Sequence, residues 1–580
     1  MKKIIIPILL SAAAVFSACN PDLLEIPQKG VVSTDTFYKT DADAEASMVA
    51  VYQGFVWNYC AQGGASIYSP IRACFNLCGD DMYAAGEYFG DNDFMAAMNE
   101  FRYDNGSEVI RNAYNNIYYT MYYTNLVIHY FKDGLPEGGH TAVTKRVVAE
   151  ARVLRAYLHM MLAIGWGTPP LVDDLLDASD NPANYPGTQQ ELFLWCAAEC
   201  EAAVADLDER KSPTDKAGAV KVTKGFANAV AGKCYLFAKD YAKAKTALKA
   251  VIDSKKYELV PGERYWENFH IEGDANEEKI FEGNIELNAN VGWGDLMNRT
   301  TWMESQIWNW RSDHFVANPS SSYSSIDGWG GLGVPQWIAD EFIANDGEDS
   351  YRTKATIIPA VDVIYNTVYG LEAVDKLTLE QKKTSTALGI DARGLYGQSF
   401  YLPLKQIAKT TDLMAPGQNL RVNNFVIMRY AEVLLMYAEA CLQTGDAASA
   451  KTYINMIQER AGSKTVSASV DMDVLKREKK LELWLEGNRW ADMVRWGDFD
   501  SAKNAGTKVT VLYDKLTREP KAEDKNVTWH KDGRFYTVEV KPAVDDFGYE
   551  VGFKAGKHEL FPFPYTVMSK NPNLVQNPGW

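Results

Sequence analysis

Apolar residues recur along this chain mostly at the 3.6-residue spacing of amphipathic helices. Thr40-Asp41 opens the first such stretch, which runs through Ala42–Phe55 with acidic residues in its first turn, where a helix dipole favours them. Ser107-Glu108 opens a long helix to about Lys132, whose Tyr114, Tyr118 and Tyr122 lie four apart and predict a stripe packed in the core. Four further helices are predicted at about 141–165, 189–209, 222–237 and 240–254. A last group comprises Asn424–Thr444, a partner ending at Arg460, and a helix from Asp473 to about Trp496. A strand-like stretch follows at Arg534–Lys541, and the chain ends in coil rich in Pro and Asn.

Two helix pairs share a repeat pattern. Gly232 and Tyr235 precede Tyr241, Ala244, Leu248 and Val251 in the first pair, and Ala447, Ala450, Ile454 and Ile457 reproduce the second-helix spacing after Gly445-Asp446. Small residues at a crossing let two helices approach closely, as in tetratricopeptide hairpins, but a simple array repeats about every 34 residues. The scaffold is therefore interrupted. Between its halves, residues 258–425 are rich in Gly, Asn, Ser and Trp and show poor helical periodicity apart from Gln336–Ala344, which predicts a loop-rich lobe.

The amino end changes the picture of where the protein works. Lys2 and Lys3 precede an apolar run from Ile4 to Phe16, too short to cross a hydrocarbon layer of about 30 Å as a helix. It reads as a secretory signal over residues 1–18. Small residues directly before Cys19 resemble a bacterial lipobox, which implies that Cys19 becomes the mature amino terminus and carries lipid. Residues 20–41 then read as an extended tether. Seven further cysteines, Cys60, Cys74, Cys78, Cys196, Cys200, Cys234 and Cys441, follow no dense disulfide pattern. They are expected to be buried thiols, with a disulfide among Cys60, Cys74 and Cys78 left open. The formal charge of −17 and the lack of any basic run argue against a nucleic-acid partner.

Four segments together resemble the SusD/RagB family of outer-membrane glycan-binding lipoproteins of Bacteroidetes. They are Cys19 with Asp22-Leu23-Leu24-Glu25 and Thr36-Phe37-Tyr38; Glu150 to Tyr157 with Gly165-Trp166-Gly167-Thr168-Pro169-Pro170; Met428 to Ala440; and Leu483-Trp484-Leu485-Glu486-Gly487-Asn488-Arg489-Trp490 with Arg495-Trp496-Gly497. The ending Phe561-Pro562-Phe563-Pro564, with Asn571 to Leu574 and Asn577 to Trp580, completes the likeness. The resemblance implies a mainly α SusD-like fold, with tetratricopeptide-like helical pairs carrying a large loop-rich inserted lobe. Its parts would be an N-terminal region 19–257 and a C-terminal region 258–580 that includes the insertion. It also implies a lipid-anchored protein of the cell outer membrane that passes oligosaccharides to a TonB-dependent SusC-like transporter, the helical repeats facing that partner.

The family motifs do not name the sugar site, so chemistry must. A pyranose offers an apolar C–H face to an aromatic ring and a rim of hydroxyls to Asn, Asp and Arg. Six tryptophans, Trp293, Trp302, Trp308, Trp310, Trp329 and Trp337, fall between positions 293 and 337, about fivefold above the chain average. Trp337 sits in a predicted helix and is assigned to the core; the other five are candidates. Arg311 and Asp313 join them, because Trp308-Asn309-Trp310-Arg311-Ser312-Asp313 alternates aromatic and polar groups, and Trp329 among glycines predicts an exposed loop. A second candidate is the loop from Gly79 to Phe89, with Tyr83 and Tyr88; family members commonly use the corresponding loop near the ligand. Trp484, Trp490 and Trp496 are assigned to structure. No HExxH, GxSxG or GxxxxGK[ST] motif occurs, and the seven histidines lack ligand spacing, so neither catalytic residues, a metal nor a cofactor is expected. The alternatives are a transporter lid without sugar affinity and an α-helical glycoside hydrolase, which would need two carboxylates across the scissile bond.

Overall fold

The computed structural model describes residues 36–60, 70–86, 91, 93–285, 309, 328–362, 399–405, 407–415, 418–498, 509–515, 518–530, 533–540 and 551–580. Helices dominate. The α-helices of six or more residues are, in chain order, α1 (Asp41–Gly54), α2 (Pro70–Leu77), α3 (Asp93–Asn99), α4 (Glu108–Phe131), α5 (Ala142–Trp166), α6 (Gln189–Ala203), α7 (Lys224–Phe237), α8 (Tyr241–Asp253), α9 (Gln336–Asn345), α10 (Tyr351–Thr356), α11 (Tyr430–Gln443), α12 (Ala447–Ala461), α13 (Met472–Glu482) and α14 (Arg489–Trp496). Their starts follow capping chemistry: Thr40, Ser107, Thr141, Thr188 and Thr223 each accept a hydrogen bond from a backbone N–H of the first turn. Among the described residues no helix is long and apolar enough to cross a membrane.

The helices stack in sequence, α4 on α5, α5 on α6, α6 on α7 and α7 on α8. Helix α8 then packs on α11, and α11 on α12, so the two repeat-like pairs lie side by side although the insertion separates them in sequence. The expected close crossing is present: a Cβ on Gly232 would lie 2.5 Å from Cγ of Leu248. Lys245 on α8 fixes the junction through Asp446, 2.6 Å away, which also caps α12.

Beside this stack lies a buried cluster of charges. Arg429 pairs with Glu278 at 2.8 Å, with Glu482 and with Glu486; Arg460 pairs with Glu278 at 2.7 Å and with Glu482. Arg352 holds Asp346 at 2.7 Å, Glu478 and Glu482, and Lys405 holds Glu486 at 2.6 Å. Burial would raise the Glu482 carboxyl, but the guanidiniums of Arg460, Arg429 and Arg352 outweigh it and hold it at about 2.

Several boundaries differ from the sequence pattern. The predicted helix Asn424–Thr444 begins only at Tyr430, because Phe425–Arg429 is a strand pairing antiparallel with Lys279–Gly283, Lys279 opposite Arg429. Its β-branched residues fit that ladder, whose partner is remote in sequence. The predicted helix Asp473–Trp496 breaks between α13 and α14, where Leu485 (φ 63°) and Gly487 (φ 77°) adopt left-handed backbone. The helix predicted to reach 209 ends at Ala203, followed by a 3₁₀ turn to Asp206.

The tyrosine stripe holds only in part: Tyr114 is buried and Tyr118 half-buried, but Tyr122 is 55% exposed. Each four-residue step overshoots a 3.6-residue turn by about 40°, which carries the third ring off the packed face. Trp337 is also corrected: it is 40% exposed, with Nζ of Lys480 4.9 Å from its ring centre, because α9 buries the opposite face through Ile338, Ala339 and Phe342. Trp484 and Trp490 are buried, and the indole N–H of the half-buried Trp496 donates to Glu439 at 2.8 Å. All seven described cysteines are buried free thiols, so no disulfide joins Cys60, Cys74 and Cys78.

Two outcomes are expected in unfolding experiments. Arg429→Met takes one cation from Glu278, Glu482 and Glu486 and leaves their negative charge under-compensated, which should cost about 3–5 kcal/mol, visible as a large fall in the denaturation midpoint; an unchanged midpoint would refute the role given to the cluster. His159 is neutral and fully paired, Nδ1 donating to the carbonyl of Arg155 (3.0 Å) and Nε2 accepting from the N–H of Val172 (3.1 Å). Burial lowers it to about 3. Because the folded value lies below the unfolded value near 6.5, its stability contribution is complete above pH 6.5 and lost as pH falls below it. By pH 5 the wild type should have lost about 2 kcal/mol more than His159→Gln, measured by urea titration at each pH.

Candidate functional site

The loop after α2 is built into the frame. Arg489 clamps Asp80 through both carboxylate oxygens, at 2.7 and 2.9 Å. The indole N–H of Trp484 donates to the carbonyl of Asp81 (3.0 Å), and Asn99 donates to that of Met82 (2.8 Å). Burial opposes ionisation of both aspartates; the Arg489 charge wins at Asp80 and keeps it low, whereas burial and the Asp80 charge push Asp81 up. Tyr83–Ala84 then pairs antiparallel with Leu332–Gly333, and the N–H of Ala85 donates to the carbonyl of Gly331 (2.8 Å). The two segments nominated from sequence, around Tyr83 and around Trp329, thus meet in one ladder.

Their side chains do not behave alike. Tyr83 is 2% exposed; its ring lies under Gly333, where a Cβ would come within 2.0 Å of Cζ, and its hydroxyl hydrogen-bonds with Ser399. It cannot serve as a sugar platform. Trp329 is half-buried against the core rather than held out on an exposed loop. Asn309, at the centre of the aromatic–polar alternation, is fully buried: its carbonyl accepts from the N–H of Gly330 (2.9 Å) and its Oδ1 from that of Ala408 (3.1 Å). It is an anchor rather than part of a hydroxyl-binding edge. Cys19, Tyr88, Trp293, Trp302, Trp308, Trp310, Arg311 and Asp313 lie outside the described residues.

A feature not read from the sequence lies nearby, an open groove of about 1010 Å³. One wall is a three-stranded antiparallel sheet, with Phe535–Val540 between Lys525–Trp529 and Val509–Asp514. Strand alternation places Thr510, Thr537 and Glu539 on one face, opposite Val509, Val511 and Val540, which pack with Tyr83 and Ala85. The facing wall carries Phe400, Tyr401, Ile358 and the α9 residues Asp340 and Ile343. Burial raises the Tyr401 phenol to about 12, so it stays a hydroxyl at physiological pH. The walls come from four segments distant in sequence, so no local motif announces them. Among the described residues no group of His, Cys, Asp and Glu is arranged to hold a metal ion.

The segments that carry the family resemblance converge as well. Phe561 stacks on Trp490 (4.5 Å between ring centres), its N–H donates to the carbonyl of Gly165 (2.7 Å), and Trp166 donates to the carbonyl of Pro562 (3.0 Å). A stack of helical pairs bearing a loop-and-strand lobe defines the class of scaffold, and no sheet among the described residues closes into a barrel. The SusD family profile matches residues 278–580, and the chain belongs to that family. A SusD-like protein of Bacteroides ovatus is 22% identical over 498 residues, covering 84% of this chain and 82% of that one. SusD-like protein P38 of Formosa agariphila is 21% identical over 519 residues, covering 84% and 90%. Among solved structures, surface glycan-binding protein A from Bacteroides thetaiotaomicron in complex with laminarihexaose superimposes with a TM-score of 0.68 at 21% identity, covering 93% of this chain and 100% of that one. A laminarin-binding SusD-like protein gives 0.66 at 22% identity, covering 94% and 100%.

The Tyr83–Gly333 contact yields a paired expectation. Gly333→Ala should cost about 1–3 kcal/mol through overpacking, read by chemical denaturation. Tyr83→Phe should cost about 1 kcal/mol for the lost hydroxyl bond yet leave any glycan affinity unchanged; a severalfold loss of affinity would return Tyr83 to the ligand surface.

Proposed function

We propose that this protein is a cell-surface glycan-binding lipoprotein, held in the outer membrane by lipid on Cys19, that captures oligosaccharide or polysaccharide and delivers it to a TonB-dependent SusC-like transporter without chemically altering it. The observation that carries the reading is a SusD fold into which a tryptophan-dense segment is tied at Asn309, beside the ladder joining Tyr83 to Gly333. The solved neighbour bound to laminarihexaose supports a saccharide as the ligand. In this reading Trp308, Trp310, Trp302 and Trp293 offer ring faces together with Trp329 and Tyr88, and Arg311 and Asp313 satisfy hydroxyls.

Weak binding suits the task. A ring that covers one sugar face buries about half of its 150–250 Å² and contributes about 2 kcal/mol before ordering costs. Two or three such contacts give micromolar to millimolar affinity, weak enough for release to a transporter. Isothermal calorimetry against a glycan panel should find such a ligand, and Trp308→Ala or Trp310→Ala should weaken it about five- to thirtyfold. Wild-type affinity in both variants would displace the site from this segment. Failure of every glycan to bind would leave the protein a transporter lid, and shortened chains after incubation would make it a hydrolase.

A further inference from the structure

We infer that the groove between the C-terminal sheet and the Tyr401 wall is a second saccharide-binding surface and that it takes an uncharged chain. The choice of a saccharide rests on the reading above; the place and the charge class rest on the groove itself.

Three observations carry it. First, the sheet face turned to the groove interrupts its apolar residues with hydroxyls: Thr510, Thr528 and Thr537 line the groove on the face that also carries the buried Leu512 and Phe535, while Val509, Val511 and Val540 on the other face pack on Tyr83 and Ala85. A sheet face meant only for packing would continue the apolar pattern. Threonine hydroxyls both donate and accept, which is what a rim of sugar hydroxyls needs. Thr528 stands opposite Thr537 across the ladder, so the hydroxyls form a row rather than a point.

Second, rings stand on the facing wall. Tyr401 is half-buried there, and Phe400 lies beside it with the His530 imidazole 5.5 Å away at 36°. They offer apolar faces across the gap from the hydroxyl row, the pairing a pyranose demands. Trp529 also borders the groove, 44% exposed, with its ring 5.0 Å from that of Tyr536.

Third, the charge around the groove is one-sided. Asp340, Glu348, Asp362 and Glu539 line it, whereas its lysine, Lys354, is paired with Asp349 at 2.9 Å. Carboxylates accept hydrogen bonds from neutral sugar hydroxyls, but within a Debye length of about 8 Å they repel uronate and sulfate groups.

Native affinity gels test this with soluble laminarin, xylan and galactomannan as uncharged probes and alginate and chondroitin sulfate as polyanions. At least one neutral polymer should retard the wild type, and neither polyanion should. Thr528→Arg, an exposed change on an edge strand, and Tyr401→Ala should each reduce the retardation at least fivefold with unchanged circular dichroism. In a Trp308→Ala/Trp310→Ala background, Thr528→Arg should remove the binding that remains. Retardation by a polyanion overturns the charge assignment. Wild-type retardation in folded Thr528→Arg and Tyr401→Ala, with loss confined to the tryptophan variant, overturns the groove and leaves the tryptophan site standing. Retardation by no polymer overturns both.

Discussion

Glu482 sits where three arginines from three parts of the chain converge, and the arrangement around it constrains everything else. Arg352 comes from the inserted region, Arg429 from the strand that returns from it, and Arg460 from the second repeat-like pair. Each is buried, and each also holds a further carboxylate, Asp346, Glu278 or Glu486. A single buried ion pair is weak evidence for stability, since an apolar pair of equal volume often does as well. A network whose members each hold several opposite charges is different: it favours one relative placement of its segments over the others. We read the cluster as the device that fixes the inserted region against the helical stack.

That placement is transmitted to the lobe by the residues that follow Glu482. Leu485 and Gly487 turn the chain so that Glu486 reaches Arg429 and Lys405, the N–H of Gly487 donates to Asn76, and Arg489 grips Asp80. The Asp80 loop pairs with the strand at Gly333, and the C-terminal sheet rests on the same Tyr83 and Ala85. The Tyr83–Gly333 ladder and the groove are thus tied to the charge cluster by short chains of contact. A binding surface gains from this: a rigid ledge loses little entropy on binding, so modest contacts suffice.

How much of this could be read in the sequence follows from the range of each interaction. Helices were legible because periodicity and caps such as Thr40 and Ser107 lie within a few residues of each other. The strand Phe425–Arg429 was not, since its ladder partner Lys279–Gly283 is remote and its apolar run also fits a helix. The break at Leu485 was hidden because nothing local marks a leucine that adopts φ 63°. For the site, the Tyr83 and Trp329 segments are separate candidates in the sequence and only the fold brings them into one ladder, and burial of Tyr83 depends on a glycine some 250 residues away. The groove's walls come from strands and a helix that only the fold brings together, and exposure of Trp337 turns on which face of α9 finds a partner.

The central claim is that a frame locked by buried charge presents saccharide-binding surfaces on its lobe and leaves the sugar intact. A crystal structure with a bound oligosaccharide tests it most directly. The account predicts sugar rings lying on aromatic faces of the lobe, every glycosidic bond unbroken, and the Arg429–Glu482–Arg460 cluster superimposing on the free protein. Sugar bound on the helical pairs, a cleaved chain, or a cluster that rearranges on binding would contradict it.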